Sequence, residues 1–360
     1  MMKYIEKKFV KVVVVGAGDV ARHSHLPAYY KIPNAKVAAI CDVAKEKAEN
    51  VAKSWNIPRF YTSLEDCLKE EVPDLVDICT PPDMHLRLMF QALNAGSHVI
   101  VEKPFVTSLD ECERTEKEFH RFRRKKLRIG VIHNWLFEFF TPIISSMVKR
   151  GEIGEVQRVE VDIFARQDDP MISNPNHWCH SIPGGRIGEC LIHPVYILQH
   201  YLGTLEVTWV TVSKRGRYPW VTFDELFAAL RSSDGKLGHI YITFNSPRVD
   251  FPVISIQGSR KHLLYYNSNL VILGSLGYSD FQKGLDIFRQ ISQISKSLCR
   301  HIVRRVFRTR KSGHEVFIAD FINSILNERE PYYSFEEALQ ATKTYLEILS
   351  KALLKIEKFP

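Results

Sequence analysis

The stretch that decides the fold lies near the amino terminus and reads Val12-Val13-Val14-Val15-Gly16-Ala17-Gly18-Asp19-Val20-Ala21. Four consecutive valines indicate a strand that is buried on both faces. In a dinucleotide-binding turn, Gly16 permits the tight bend and Gly18 lets the backbone approach a pyrophosphate, while Ala21 replaces the third glycine as a small residue between helix and strand. The stretch therefore predicts a strand, a phosphate-binding turn over residues 16–20 and a helix that begins near Val20.

The first 130 residues continue this pattern. Short β-branched runs alternate with helix-length amphipathic segments such as 44–55 and 84–95, which is typical of βαβ units in a parallel sheet. The predicted strands cover residues 11–15, 36–41, 75–79, 98–101 and 127–132. Residues 1–134 are therefore predicted to form a Rossmann domain with a doubly wound parallel sheet, so the fold class is α/β.

Asp42 stands at the end of the second predicted strand, about 20 residues beyond the glycine turn. A carboxylate at this position accepts hydrogen bonds from the adenosine ribose hydroxyls and repels a 2′-phosphate. The next residue is Val43, which cannot neutralise such a phosphate. The sequence therefore predicts NAD as the cofactor in preference to NADP.

From about residue 156 the pattern changes to longer alternating strands, predicted over 156–165, 207–215, 225–232, 236–245 and 253–257. This indicates a large, mostly antiparallel, open-faced sheet in a carboxy-terminal α+β domain, residues 135–360. The last helices, about 314–356, include a capping box at Ser334 to Glu337 and are expected to pack back towards the first domain. An open sheet face needs a cover, so we expect a homo-oligomer, a dimer or tetramer.

The composition is that of a globular protein, with 45% hydrophobic and 25% charged residues in a chain of 360. No apolar run approaches the roughly 18 residues that span a bilayer, and no apolar signal segment precedes the first charges. The seven cysteines are scattered without a Cys-x-x-Cys pair. We therefore expect reduced thiols and a cytoplasmic protein.

The formal net charge of +8 has a local origin: subtracting the seven Lys and Arg residues between 296 and 311 leaves +1. Apolar residues recur there at steps of three and four, so an amphipathic helix is predicted between 284 and 310. Segment 284–311 has three open roles: a solvated cover for the sheet or an oligomer contact, attachment to an anionic membrane surface, or docking of a phosphorylated or acidic partner. No nucleic-acid-binding module is recognisable, so no nucleic-acid partner is expected.

Two motifs follow the next strands, Cys79-Thr80-Pro81-Pro82-Asp83-Met84-His85 and Val101-Glu102-Lys103-Pro104-Phe105. With the glycine turn, they resemble the Gfo/Idh/MocA family, named for glucose-fructose oxidoreductase and inositol dehydrogenase, over nearly the whole chain. The resemblance implies hydride transfer between nicotinamide and a secondary alcohol or ketone of a sugar, sugar derivative or cyclitol. The further cofactor contacts that it implies are Thr80, Pro81, Pro82, His85, Glu102, Lys103 and Asn134.

Lys103 is also an implied catalytic residue and substrate contact. An ammonium group beside the reacting oxygen stabilises the alkoxide-like charge that develops as hydride leaves carbon, and it helps to relay the proton.

A second family signature is an aspartate four residues before a histidine on a helix that is entered through a glycine-rich turn. Gly184-Gly185-Arg186-Ile187-Gly188-Glu189-Cys190-Leu191-Ile192-His193 resembles it, with glutamate in place of aspartate. The spacing puts Glu189 and His193 on one helix face. The resemblance implies that His193 is the general acid/base, that Glu189 orients it or binds a substrate hydroxyl, and that Trp178 contacts the substrate.

Several positions depart from the family pattern. Tyr196 stands where an aspartate is common, Leu191 where a glycine is common, and Trp135 and Cys179 where arginines are common. Fewer cationic contacts to the substrate are therefore expected, and its identity stays open.

The sequence also contains features of a metal site and is compatible with a non-catalytic function. The run His177-Trp178-Cys179-His180 contains zinc-ligand residue types, but its spacing fits none of the strong zinc patterns and nicotinamide chemistry needs no metal, so no metal is expected. The alternative function is a non-catalytic NAD(H)-binding regulator or sensor of the same fold. Lys103 and His193 favour the enzyme.

Overall fold

The chain packs as two compact units in a computed structural model that describes residues 9–274, 279–306 and 311–356, the side chains of 297–306 excepted. The first unit comprises residues up to Phe137 together with Ser312–Thr342. The second comprises Glu138–Lys311 together with the chain from Lys343 onward.

The first unit is built on a six-stranded parallel sheet. Its strands are β1 Val10–Val15, β2 Ala35–Cys41, β3 Arg59–Tyr61, β4 Leu75–Ile78, β5 His98–Val101 and β6 Ile129–Val131. The spatial order β3-β2-β1-β4-β5-β6 is that of the doubly wound dinucleotide-binding fold, whose strand order reverses between β1 and β4. Ligands bind such sheets at the carboxyl ends of the strands beside this reversal, which is where the predicted motifs lie.

The second unit is built on a seven-stranded sheet. Its strands are β7 Val156–Phe164, β8 Leu205–Ser213, β9 Glu225–Ser232, β10 Leu237–Thr243, β11 Asp250–Gly258, β12 His262–Tyr266 and β13 Asn269–Leu273. Their order is β13-β12-β11-β7-β10-β9-β8, and every neighbouring pair is antiparallel except β7 with β10. The predicted mostly antiparallel sheet is confirmed.

Helices cover the sheets and close the chain. They are α1 Leu26–Tyr29, α2 Lys45–Ser54, α3 Leu64–Glu71, α4 His85–Asn94, α5 Leu109–Arg124, α6 Phe140–Lys149, α7 Pro170–Ser173, α8 Gly185–Leu202, α9 Asp280–Val306, α10 Gly313–Leu326 and α11 Phe335–Ile356. The capping box is present, since the Glu337 amide donates to Ser334 Oγ and the Ser334 amide donates to Glu337 Oε2. Among the described residues, no helix is both long and apolar enough to span a membrane.

The strands predicted from periodicity are all present within three residues of the predicted ends, and β3, β12 and β13 are additional. Three-residue β3 is too short for a period-two signal. The hairpin between β12 and β13 turns through Asn267 and Ser268, which both have positive φ (46° and 61°). Such a turn usually carries glycine, so this sequence lacked the expected hairpin signal. The amphipathic helix predicted between 284 and 310 coincides with α9, although residues 307–310 and Cys299 lie outside the described backbone and side chains, respectively.

Candidate active site

The glycine turn after β1 has the geometry that the sequence predicts. Gly16 adopts φ +100°, and a Cβ atom there would lie 2.7 Å from the Cys79 carbonyl oxygen. Glycine is therefore required at this position on two counts, conformation and space. At Gly18 a Cβ atom would meet nothing within 4 Å, so the turn leaves open space at the point where a pyrophosphate must approach the backbone.

The helix after this turn is irregular. Asp19 and Val20 are helical, residues Ala21–His25 form a π-helical turn, and α1 follows. Because Pro27 has no N–H, the regular ladder is interrupted, and the Leu26 amide donates to the Ala21 carbonyl five residues back. The Asp19 side chain is exposed and pairs with Arg22, so of this residue only the backbone belongs to the turn.

Asp42 ties the end of β2 to the glycine turn. Its Oδ2 accepts a hydrogen bond from the Ala17 amide over 2.8 Å, and its Oδ1 accepts one from the Ala44 amide over 2.9 Å. These bonds fix the carboxylate, and each oxygen retains a second lone pair for a ribose hydroxyl. The following residue, Val43, is 85% exposed and carries no charge.

The loop after β4 contains a buried polar atom that suits a cofactor. Thr80 Oγ1 is buried and has no hydrogen-bond partner among the described residues. Pro82 starts a short 3-10 turn, which leads into α4. The buried His85 ring lies between two carbonyl oxygens, with Nε2 2.8 Å from that of Thr80 and Nδ1 3.1 Å from that of Pro104. It thereby ties the loop after β4 to the loop after β5, and burial lowers its pKa.

A buried charged network underlies the loop after β5. His25 donates from Nδ1 to Asp77 over 2.7 Å and from Nε2 to Glu102 over 2.8 Å. The same Glu102 oxygen lies 3.3 Å from Nε2 of His314, and its other oxygen accepts from the Lys103 amide over 3.0 Å. The backbone of Lys103 is therefore anchored by a carboxylate that His25 and His314 hold in place.

This arrangement determines the protonation states of His25 and Glu102. Burial opposes a charge on His25, yet the attraction and hydrogen bond of Asp77 and those of Cys79 together outweigh it and raise the pKa of His25 well above its ordinary value. Burial likewise opposes ionisation of Glu102, but hydrogen bonds from His25 and His314 hold its pKa well below the ordinary value. His25 is thus an imidazolium whose two N–H groups are both used, since a neutral ring could donate only one hydrogen bond.

Among the described residues, metal-ligand residue types come close together around His25. Asp77 and Cys79 form one group with it, and Glu102 and His314 form the other, with ligand atoms within 4.8 Å of one another in each group. Both ring nitrogens of His25 already donate to carboxylates. A charged hydrogen-bond network therefore accounts for these residues.

The remaining implied cofactor contacts lie at the same edge of the sheet. Lys103 is half-buried and directly follows Glu102 after β5. Asn134 is half-buried and opens a 3-10 turn after β6. The parallel sheet brings both positions to the carboxyl ends of neighbouring strands.

In the second unit, the glycine-rich turn enters α8 as the sequence indicates. Gly184 and Gly185 have φ +75° and +56°, and a Cβ atom at Gly188 would lie 2.0 Å from the Pro183 carbonyl oxygen. The helix begins at Gly185 and carries Glu189 and His193, which are 7% and 8% exposed, respectively. The predicted helix and its two buried polar side chains are therefore present.

Tyr196 is a hydrogen-bond partner of His193. Its hydroxyl lies 2.6 Å from His193 Nδ1, and its side chain is 1% exposed. Tyr196 was noted from sequence only as a departure from the family pattern. The structure gives it a contact with the proposed acid/base.

Glu189 is paired with a cation that sequence reasoning left without a role. Its Oε2 accepts a hydrogen bond from Arg186, which also pairs with Asp169 over 3.4 Å and lies over the Phe244 ring at 5.2 Å. Burial opposes the charge on Arg186, but the carboxylates of Glu189 and Asp169 outweigh it and raise its pKa. This part of the unit therefore holds one cation between two carboxylates.

Short elements gather around α7 beside this ion pair. Asp169 caps α7, the His180 ring lies 3.0 Å from the Met171 carbonyl oxygen, and Trp220 Nε1 donates to the Ile172 carbonyl over 3.0 Å. Trp178, at 38% exposed, begins a 3-10 turn in the same region.

The residues between His177 and His180 whose types match zinc ligands have other partners. His177 Nδ1 accepts a hydrogen bond from the Cys179 amide, and burial raises the pKa of the Cys179 thiol to about 12. The described metal-ligand groups lie around His25 in the first unit and include none of these residues.

Sequence reasoning missed His25, Asp77, His314, Arg186 and Tyr196. Each was present in the sequence, but its role depends on a partner from another element or on a neighbour one helical turn away. The one local signal was the His25-Leu26-Pro27 sequence, in which a proline interrupts the helix that carries the histidine.

Comparison with known proteins agrees with this architecture. Residues 10–133 match the family model of the oxidoreductase family with an NAD-binding Rossmann fold, and residues 144–264 match the model of the GFO/IDH/MocA C-terminal domain. Oxidoreductase P35 of Formosa agariphila is 25% identical over 200 residues, covering 54% of this chain and 60% of that protein.

Two further relatives are longer matches. The scyllo-inositol 2-dehydrogenase (NAD(+)) of Bacillus subtilis is 26% identical over 291 residues, covering 76% of this chain and 81% of that protein. The crystal structure of the WlbA dehydrogenase from Bordetella pertussis, in complex with NADH and UDP-GlcNAcA, has a TM-score of 0.79 and 20% sequence identity, with 97% of each chain covered.

Proposed function

The chain belongs to the Gfo/Idh/MocA family of NAD-dependent oxidoreductases, and from this premise we propose that it oxidises or reduces a secondary alcohol or ketone of a sugar, sugar derivative or cyclitol. The observation that carries the proposal is the contact of His193 Nδ1 with the Tyr196 hydroxyl at 2.6 Å. This contact sets the orientation of an imidazole that lies four positions after a buried carboxylate, Glu189, on the same helix. A regulator that only binds NAD(H) has no need of such an arrangement.

Residues of the first unit fit the cofactor. We propose that the open backbone at Gly18 faces the pyrophosphate, that Asp42 accepts hydrogen bonds from the adenosine ribose, and that the unpartnered Thr80 hydroxyl meets the nicotinamide end. Pro81, Pro82, Glu102 and Asn134 complete the proposed set. When bound, NAD accepts or returns a hydride at C4 of its nicotinamide ring.

We propose that Lys103 stabilises the developing negative charge and that His193 accepts or returns the proton. In the oxidative direction, the substrate hydroxyl gives its proton to Nε2 of His193, while its carbon loses hydrogen with the electron pair and becomes a carbonyl carbon. The Lys103 ammonium stabilises the negative charge that builds on the substrate oxygen. Because Glu102 anchors the Lys103 amide, the loop that presents this ammonium is held in a defined position.

Tyr196 is a positioning residue in this scheme. Its oxygen can accept a hydrogen bond from Nδ1–H both when His193 is neutral and after Nε2 has taken a proton. The ring orientation is thereby maintained through the proton transfer. An aspartate at this position would add a negative charge beside the imidazole, which the tyrosine avoids.

The substrate class rests on the second unit. Glu189 offers a carboxylate to substrate hydroxyls, and its pairing with Arg186 limits the negative charge. Trp178 and Trp220 are 38% and 37% exposed, and Trp220 stacks on Tyr218 with ring centroids 4.9 Å apart. Partly exposed aromatic faces beside a few polar groups suit a polyhydroxylated ring. The relatives that bind or act on scyllo-inositol and UDP-GlcNAcA support this class.

We also propose a cytoplasmic homo-oligomer, a dimer or tetramer. The cysteines outside position 299 are free thiols and are buried, which agrees with a reducing compartment. The sheet of the second unit exposes Trp209, Phe227 and Leu237 by 57%, 36% and 56%, respectively. An apolar sheet face of this kind is suited to cover by a second copy.

The test is a screen of cyclitols, sugars, sugar acids and sugar nucleotides with NAD and with NADH, followed by absorbance at the nicotinamide band. We expect turnover of at least one member. On that substrate, His193→Ala should lower kcat by about 100-fold or more while NAD affinity, measured by calorimetry, stays unchanged. Lys103→Ala should lower kcat similarly and weaken NAD binding.

Matched controls are His23→Ala and Lys126→Ala, which remove an exposed histidine and an exposed lysine of the first unit. Both should retain full activity. NAD(H) binding without turnover of any substrate in the panel would overturn the proposal of an enzyme and favour a regulator that only binds NAD(H).

A further inference from the structure

Helix α9 exposes an apolar face. Phe281 and Phe288 are each 77% exposed, and further exposed apolar residues lie between and after them on the helix. The other exposed apolar residues are Leu285, Ile287 and Ile291. Residues 281, 285 and 288 fall on one side of a helix with 3.6 residues per turn. An apolar stripe of this kind normally faces the interior of a protein.

The opposite face of α9, which lies against the edge strand β13, is polar. The Gln293 side chain accepts from the Ile272 amide over 2.6 Å and donates to the Ile272 carbonyl over 3.2 Å. Gln282, Asp286 and Gln290 are less exposed than the phenylalanines. The helix is therefore attached to its own sheet through amides and turns its apolar side chains outward, the reverse of the usual arrangement.

The sequence of the same region is strongly basic. Between Asp286 and Glu315 there is no acidic residue, while eight Lys and Arg residues occur. They are Arg289, Lys296, Arg300, Arg304, Arg305, Arg308, Arg310 and Lys311. An exposed apolar stripe joined to a cationic run is the chemistry of helices that lie in the interface of an anionic lipid bilayer.

We infer that α9 docks the protein on an anionic lipid surface, with Phe281, Leu285 and Phe288 in the acyl boundary, and that the basic composition of this part of the sequence attracts the negative headgroups. A second copy of the chain is the competing occupant. Two copies of this segment would carry the same net positive charge, and like charges across an interface oppose association. A negatively charged membrane complements both properties of the segment, the apolar face and the charge. Its 27 residues would extend about 40 Å along the surface.

Flotation of the full chain with phosphatidylcholine vesicles containing about 30% phosphatidylglycerol tests this docking. We expect the wild type to float with these vesicles and to remain unbound with pure phosphatidylcholine. The double variant Phe281→Ser/Phe288→Ser and the double variant Arg304→Glu/Arg305→Glu should each reduce the bound fraction by about tenfold or more. Leu354→Ser, a control at a residue 62% exposed on α11, should bind like the wild type.

Thermal unfolding of each variant, followed by circular dichroism, verifies that the second unit, which contains α9, is folded. This check does not depend on the identity of any substrate. Equal flotation of the wild type and the Phe281→Ser/Phe288→Ser variant would overturn the proposal. So would a wild type that fails to float with anionic vesicles. Loss of a wild-type dimer in that variant, seen by light scattering and without any vesicle binding, would assign the face to a second copy instead.

Discussion

His25 carries the buried network on which the loop of Lys103 rests. Its ring donates to Asp77 over 2.7 Å and to Glu102 over 2.8 Å, and all three side chains are buried. Replacing it with alanine would leave two buried carboxylates without their shared cation. Removing one partner of a buried ion pair costs about 3–5 kcal/mol, so we expect His25→Ala to lower the free energy of unfolding of the first unit by about 4 kcal/mol.

The pH dependence of this loss has a definite sign. The pKa of His25 is raised in the folded state, so its stabilisation is complete below about pH 6.5 and is lost as the pH rises towards the folded-state pKa. The decline should be about 1.4 kcal/mol per pH unit. The pKa of Glu102 is lowered, so its contribution is present above about pH 4.5 and is lost as the pH falls through its folded-state pKa. The cost of His25→Ala should therefore be greatest between about pH 5 and 6.5.

Unfolding in guanidinium chloride, followed by hydrogen exchange of peptides from β1 and β4, reports on this unit alone. The control is His23→Ala, whose side chain lies on the same helical turn, is 73% exposed and should change stability by less than about 0.5 kcal/mol. Equal stability of His25→Ala and the wild type near pH 6 would refute the reasoning. If the loss of unfolding free energy caused by His25→Ala does not change between about pH 6 and pH 8, the assignment of His25 as an imidazolium is refuted.

Four other substitutions test the cofactor turn and the acid/base. Gly16→Ala should destabilise the first unit and abolish NAD binding, because its Cβ would lie 2.7 Å from a carbonyl oxygen. Gly18→Ala should unfold like the wild type but bind NAD about tenfold more weakly. Denaturation measures the stability of both variants, and calorimetry measures their NAD affinity. Asp42→Ala should lower the ratio of NAD to NADP affinity by about tenfold or more, and an unchanged ratio would remove the ribose role. Tyr196→Phe should reduce kcat by about tenfold with little change in KM, because one hydrogen bond to His193 is lost. It should also shift the pH–rate profile, whereas a packing defect alone would leave that profile unchanged.

The parts of the site that sequence could predict are those fixed by local backbone chemistry. Gly16 is needed for its conformation, and Asp42 follows a strand at the expected distance. Gly184 and Gly185 lead into a helix whose carboxylate and histidine are four residues apart. Each of these features depends on neighbours within a few residues, or on a strand order that periodicity already indicates.

The rest depends on partners that are distant in the chain. His25 meets Asp77 and Glu102, which are 52 and 77 residues away, and His314 joins them from α10. Arg186 finds Asp169 across a loop. No period or motif spacing reports such contacts, because only tertiary packing brings the groups together. The orientation of α9 was equally hidden, since its apolar spacing alone predicts a buried stripe, whereas the structure turns that stripe outward.

The central claim is hydride transfer from a substrate carbon to the nicotinamide ring. The most direct measurement uses a substrate from the screen that carries deuterium on the carbon bearing the hydroxyl, with mass spectrometry of the reduced cofactor after a single turnover. The account predicts NADH that is heavier by the mass of one deuterium, and loss of this product in His193→Ala while NAD remains bound. Reduced cofactor without deuterium, or unchanged transfer in His193→Ala, would contradict it.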